Sequence, residues 1–321
     1  MEPRPLDTVR EACRQIAGRA EYVRIAADRI PAYAASIPPR ELMAPALDPD
    51  FHYLGQGPDT ASFILSLAAI NFGSGYFPLL RRTVKSSVYF TIARAWKDRY
   101  EKRGPVTADV LARLDVEDCT RLFRQDRRNE TVRELMQNVA LAMNELGRHV
   151  RDRYDGSFVA LIEAAGGSAE QLVELLVAMP RFDDVAFYEE LDVPFYKRAQ
   201  LAAADLARAF GGEGPGRFDD LGRLTVFADN LVPHVLRLDG VLRYAPGLAQ
   251  RVDAGDLVEA QSPEEIEIRA ATVHAGELLV QELQRLGRPV TAVEVDAFLW
   301  NRGLEPAYAS PPPHHTRTIY Y

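Results

Sequence analysis

Apolar residues recur every three to four positions along most of this chain. The clearest run is Val132, Leu135, Met136, Val139, Leu141, Met143, Leu146 and Val150, the spacing that lines one face of a helix. The same period elsewhere predicts a mainly α protein, a compact multi-helix fold with at most a small β-hairpin. Helix starts are written into Ser168-Ala169-Glu170-Gln171, Ser262-Pro263-Glu264-Glu265 and Thr291-Ala292-Val293-Glu294, each with a hydroxyl three residues ahead of Glu or Gln. Pro263 suits a first helical turn. Gly166-Gly167, Gly211-Gly212 and Gly287 supply stops. The β-branched and aromatic residues between Pro78 and Tyr89 predict the hairpin. No repeat with a period of about 20 to 50 residues is present.

Two short segments stand out against this pattern. In Thr225-Val226-Phe227-Ala228-Asp229-Asn230-Leu231-Val232-Pro233-His234 a single carboxylate sits among apolar neighbours that draw it inward, where an unpaired charge is costly. Pro233, read as lying inside a helical run, removes an amide donor and crowds the carbonyl of Asp229, so a backbone break is expected at the acid. Asp229 then serves either as a functional acid or as the residue that caps and steadies the kink. The second segment, Phe195-Tyr196-Lys197-Arg198-Ala199-Gln200, sets two cations at the start of an alanine-rich helix. Lys197 is a candidate partner for Asp229. The free amides and cations of that helix start could hold a phosphate, or the cations could pair with Asp192 or Glu190.

The chain of 321 residues is long enough for one large domain or for two packed lobes, divided loosely at the polar stretch Arg124 to Thr131, into 1–125 and 126–321. With 47% hydrophobic and 26% charged residues and no long uninterrupted apolar stretch, no membrane span is expected. The first residues lack a basic region followed by an apolar one, and the default compartment is the cytoplasm. Cys13 and Cys119 are far apart and read as buried thiols. A formal charge of −8 argues against a surface that neutralises many phosphates of a nucleic-acid duplex. The basic residues Arg81, Arg82, Lys85, Arg94, Lys97, Arg99, Lys102 and Arg103, and Arg121, Arg124, Arg127 and Arg128, then read as solvated helix faces.

Three further features carry candidate chemistry. Asn71-Phe72-Gly73-Ser74-Gly75-Tyr76-Phe77 joins glycines to aromatics, which suits either a loop that stacks on a planar base or a plain loop with core aromatics. It lacks the lysine of a phosphate-binding loop. Glu265-Ile266-Glu267-Ile268-Arg269 opens a helix whose charges are expected at its cap and surface, with a carboxylate facing a cationic ligand as the alternative. The six histidines show no metal spacing, and neither metal nor cofactor is expected. The segment ending Ile319-Tyr320-Tyr321 is apolar enough to dock on the body of the protein.

Taken together, Asn71-Phe72, Phe195 to Gln200, Phe227-Ala228-Asp229, Pro233, Glu267-Ile268-Arg269 and Ile319-Tyr320-Tyr321 resemble the queuosine salvage protein family over nearly the whole chain. That family consists of helical queuosine 5′-phosphate N-glycosylases, similar to DNA glycosylases, that release the 7-deazaguanine base queuine for reuse in tRNA modification. The resemblance implies Asp229 as catalytic carboxylate, ionised at work, and Lys197 as the close cation that favours its anionic form. Phe72 and Phe227 become pocket walls, and Asn71, Tyr76, Tyr196 and Asn230 further substrate contacts. Arg198 and His234 are placed on the 5′-phosphate, and Glu267 on the secondary ammonium of queuine's cyclopentenediol arm. The substrate implied is a small nucleotide, queuosine 5′-monophosphate, with no duplex nucleic acid as partner. Asn230, Leu231 and His234, and the stretch Gly73 to Tyr76, depart from the family's usual residues. Two other readings remain: a DNA-glycosylase-like enzyme, which lacks support from any basic DNA-binding face, and a non-catalytic helical binding module in which Asp229 is structural.

Overall fold

A computed structural model describes residues 4–84 and 87–321. The helices of its first half are α1 (Pro5–Arg19), α2 (Ile30–Ser36), α3 (Pro58–Ala69), α4 (Val88–Arg103), α5 (Ala108–Leu111), α6 (Val116–Leu122) and α7 (Glu130–Tyr154). Then follow α8 (Phe158–Glu163), α9 (Ala169–Val177), α10 (Lys197–Ala209), α11 (Leu231–Leu238), α12 (Pro246–Ala254), α13 (Pro263–Arg285) and α14 (Ala292–Gly303). Strand is confined, among the described residues, to two antiparallel pairs: β1 (Val23–Ile25) with β4 (Leu242–Tyr244), and β2 (Val185–Tyr188) with β3 (Leu191–Pro194). The fold is mainly α, as the periodicity predicts.

The apolar stripe of α7 faces inward as its spacing requires, with Val132, Leu135, Met136, Val139, Met143, Leu146 and Val150 buried and Leu141 half-buried. α5 and α6 pack on α7, α1 lies along α13, α3 against α10, and α11 against α14. The predicted caps form. Ser168 accepts from the Gln171 amide at 3.0 Å, Ser262 from that of Glu265 at 3.3 Å, and Glu294 reaches back to the Thr291 amide at 2.7 Å. Gly211 and Gly212 end α10 with φ of 62° and 76°, a region that costs a side chain strain.

Three expectations change. Pro78 lies in a short 3-10 helix, Ser74–Leu79, and Val88 to Ile92 open α4, so no strand occurs among the described residues between Pro78 and Tyr89. Lys85 and Ser86 lie outside the described residues. The β-branched and aromatic side chains there are drawn into helix by burial: Val88 and Thr91 face the core, and tertiary packing overrides local preference. Pro233 does not interrupt a helix. α11 begins at Leu231, so Pro233 occupies the first turn, where a missing N–H is harmless. Glu267 and Arg269 are not surface charges, being wholly buried.

Lys102 and Arg121 lie on solvated faces, paired locally as Lys102–Asp98 at 2.8 Å and Arg121–Asp118 at 2.7 Å, whereas Arg94, Lys97 and Arg99 are half-buried and Arg94 stacks over Phe51. Both cysteines are free and buried, and burial pushes the Cys119 thiol up to about 12. No helix among the described residues is long and apolar enough to cross a membrane.

Candidate active site

The site is built where an irregular segment, residues 224–228, threads between α10, α13 and α14. Each helix grips it through one buried polar side chain. Gln200 of α10 accepts from the Thr225 amide at 2.8 Å and donates to its hydroxyl at 3.0 Å. Arg269 of α13 donates to the Ala228 carbonyl at 3.2 Å, and Asp296 of α14 accepts from the Phe227 amide at 2.7 Å. Gly276 allows the close approach, since a Cβ there would stand 2.6 Å from Val226. The segment delivers Asp229 to the start of α11. One carboxylate oxygen accepts from the amides of Leu231 at 2.8 Å and Val232 at 3.0 Å, taking up two donors that the helix cannot satisfy itself. The acid is therefore both the cap of α11 and a group presented to open space.

Lys197 is fixed by the same construction. Tyr196 adopts a left-handed conformation, φ 50°, that turns the chain from β3 into α10. The Lys197 amide then donates to Asp184 at 3.3 Å, and Asp184 is held by both terminal nitrogens of Arg269, at 2.9 and 2.6 Å. The lysine is 5% exposed, and its ammonium donates to the carbonyl and side-chain oxygens of Asn71, both at 3.3 Å. No carboxylate stands within ion-pair distance of it among the described residues. Burial lowers its pKa and the negative charge of Asp229 works against that loss.

Around these groups lies a cavity of about 640 Å³, within the range of small-molecule sites. Of the residues the sequence proposes, Asn71, Phe72, Lys197, Phe227, Asp229 and Asn230 are brought together on its wall. Asp296 joins them and was not anticipated. Burial, then the charge of Asp229, pushes its carboxyl well above the usual carboxylate range, opposed by the Phe227 amide and by Lys197. Two carboxylates thus face one cavity beside one lysine. The cue existed in the sequence, because Asp296 stands among Val293, Val295, Phe298 and Leu299 much as Asp229 does among its neighbours.

Five proposed contacts lie elsewhere. Arg198 is 2% exposed; its guanidinium donates to the carbonyls of Ala69 and Arg181 and stacks over Phe72 and Phe182, behind the cavity wall. Glu267 is fully buried, accepting from the amides of Glu21, Tyr22 and Val23 at 3.0, 2.6 and 2.9 Å and from the Tyr188 hydroxyl at 2.8 Å. That leaves it no free lone pair for a ligand. His234 bonds the Tyr308 carbonyl at 2.9 Å, Tyr76 donates to Glu134 at 2.9 Å, and Tyr196 acts through its backbone turn. None of the five lines the cavity.

The segment ending at Tyr321 docks as expected and completes the wall. The Tyr321 main-chain oxygen accepts from the Gly73 amide at 2.8 Å, and its ring lines the cavity and lies 4.7 Å from the Arg269 guanidinium carbon. Gly75 is required for this contact, because a Cβ there would fall 2.4 Å from the Thr316 backbone. Among the described residues no three His, Cys, Asp or Glu side chains gather as a metal ion would need.

Comparison with known proteins identifies the family. The family model for "Queuosine salvage protein" matches residues 51–321. A Sphaerobacter thermophilus protein named queuosine 5′-phosphate N-glycosylase/hydrolase is 37% identical over 96% of this chain and 96% of its own length. Proteins of the same name from Dictyostelium discoideum, 33% identical over 82% of this chain and 78% of theirs, and from Mus musculus, 30% identical over 73% and 72%, are also similar. A family match over residues 51–321, with a relative 37% identical over 96% of the chain, shows that the chain belongs to the queuosine salvage protein family.

Proposed function

We propose that this chain is an N-glycosidase that hydrolyses queuosine 5′-monophosphate to queuine and ribose 5-phosphate, returning queuine to tRNA modification. The names of its relatives support a nucleotide substrate. The observation that carries the chemistry is the placement of two carboxylates, Asp229 and the high-titrating Asp296, on one cavity wall beside Lys197.

Cleavage of a ribosyl N-glycosidic bond builds positive charge at C1′ as the base departs with the bonding electrons. Asp229, ionised, stabilises that charge, either attacking C1′ or taking the proton of the incoming water. The Lys197 ammonium, whose own charge Asp229 supports, stands on the same wall. A 7-deazapurine has no N7 to accept a proton, so the departing base must be neutralised elsewhere. Asp296 retains a proton more readily than an ordinary carboxylic acid and faces the same space, so it is the donor available for that task. Water supplies the oxygen added at C1′ and the proton that restores Asp296. Phe72 and Phe227 offer apolar walls for the base. Arg82, exposed on the cavity wall and without an ion-pair partner among the described residues, is the cation left for the 5′-phosphate. The two free buried thiols suit a reducing compartment, the cytoplasm.

The test is incubation with queuosine 5′-monophosphate in metal-free buffer, with free queuine followed by chromatography beside an Asp229→Asn control. Release that disappears in the variant supports the hydrolase. Binding without release by the native chain rejects it in favour of a binding module.

A further inference from the structure

The cavity extends well past the charges at its catalytic end. Lys197, Leu201, Ala204, Asp205 and Arg208 recur at helical spacing and give one face of α10 to its wall. At about 1.5 Å of rise per residue, Asp205 stands about 12 Å along the helix from Lys197. This remote end has its own construction. Asp205 is 7% exposed and forms an ion pair with Arg208 at 3.0 Å through one carboxylate oxygen only. Its second oxygen accepts no hydrogen bond among the described residues. The other nitrogens of Arg208 donate to the Pro45 carbonyl at 2.9 and 2.6 Å.

Three rings line the same cavity. Tyr89, Phe90 and Trp300 meet edge to face, with centroids 5.3 Å apart for Tyr89 and Phe90, 6.0 Å for Tyr89 and Trp300 and 5.9 Å for Phe90 and Trp300. The Tyr89 hydroxyl is held by His52 at 2.8 Å, which fixes the ring. The charge of Asp205 reaches the Tyr89 hydroxyl, and a rigid aromatic group sharing a cavity wall with a carboxylate that has a free oxygen suits an organic ammonium, held by ring quadrupoles together with one charge-assisted hydrogen bond.

We infer that Asp205, with Tyr89, Phe90 and Trp300, forms a specificity subsite for a cationic amine carried by the substrate's base. This rests on the proposed function, under which the base is queuine and the amine is the secondary ammonium of its cyclopentenediol arm. Asp205 thereby takes the part that burial denies to Glu267. The subsite selects a base bearing a cationic arm over the bare 7-deazaguanine.

Binding of free queuine and of 7-deazaguanine is measured by calorimetry on the native chain, Asp205→Asn and Trp300→Leu. The native chain is expected to favour queuine, and each variant to reduce the ratio of the two affinities by about tenfold. Trp300→Leu leaves the Asp205–Arg208 pair in place, so a folding defect in Asp205→Asn does not decide the outcome. An unchanged ratio in both variants overturns the subsite, as does failure of the native chain to bind queuine. Turnover of queuosine 5′-monophosphate is assayed separately. A chain that binds queuine through Asp205 and releases none from the nucleotide keeps the subsite and loses the hydrolase.

Discussion

Two clusters of charge meet at the start of α10, and they are resolved in opposite ways. In one, Arg269 is held by Asp184 through two hydrogen bonds, stands 3.8 Å from Glu265, donates to the Ala228 carbonyl and is stacked by Phe195 and Tyr321. In the other, Lys197, Asp229 and Asp296 share a cavity without one ion pair among them. Their separation leaves each charge with bonding capacity toward a ligand. The sealed cluster positions the open one, since Asp184 holds the Lys197 amide and Arg269 the backbone just before Asp229. Satisfied charge makes the scaffold, and unsatisfied charge is kept for chemistry.

Substitution separates the two clusters most sharply. Asp229→Asn is expected to lower base release by roughly 10³-fold or more while leaving stability within about 1 kcal/mol, because Asn also caps a helix. Arg269→Met is expected to reverse the balance, costing about 3–5 kcal/mol in denaturant unfolding by stranding Asp184 in the interior. If both variants lost activity and stability in equal measure, the division of labour would be wrong.

Lys197→Met probes the field inside the open cluster. Without the ammonium, Asp296 holds its proton more tightly, so the alkaline limb of the kcat/KM profile, set by loss of that proton, should move up by about one pH unit or more. An unmoved limb would mean that the lysine acts on the substrate alone.

The smallest effect concerns Asp296 and stability. Its carboxyl titrates higher folded than unfolded, so the native state binds its proton more tightly, and stability falls as pH rises from the ordinary carboxylate range through the raised folded value. Asp296→Asn stays neutral and can still accept from the Phe227 amide. It should unfold like the native chain near pH 4 and exceed it by about 1–2 kcal/mol at pH 8. A constant difference across that range would assign the effect to packing rather than to ionisation.

Much of the architecture was legible because helical period, caps and glycine stops are local signals, as α7, α9 and α13 illustrate. Asp229 and Lys197 were legible as charges at places where charge needs a reason. Asp296 shares that signal, yet Val293-Glu294-Val295-Asp296 also reads as a helix with a solvated side, and only the packing of α14 beside the cavity buries it. Arg198 was misplaced for a geometric reason. Adjacent residues on a helix point about 100° apart, so with Lys197 toward the cavity Arg198 had to face α3 and Phe182. Glu267 finds its three amide partners at Glu21 to Val23, far away in sequence, and no local pattern announces such a pairing.

The docking of Tyr321 has a consequence for how the cavity comes apart. The cavity takes walls from Asn71 on one side and Tyr321 on another, and the amide of Gly73 finds its acceptor at Tyr321, so one backbone hydrogen bond joins segments far apart in sequence. Local opening at that bond costs less than global unfolding and leaves the packing of α3 on α10 in place. A transient parting of this seam is thus the least expensive way for water to reach the acid and the lysine.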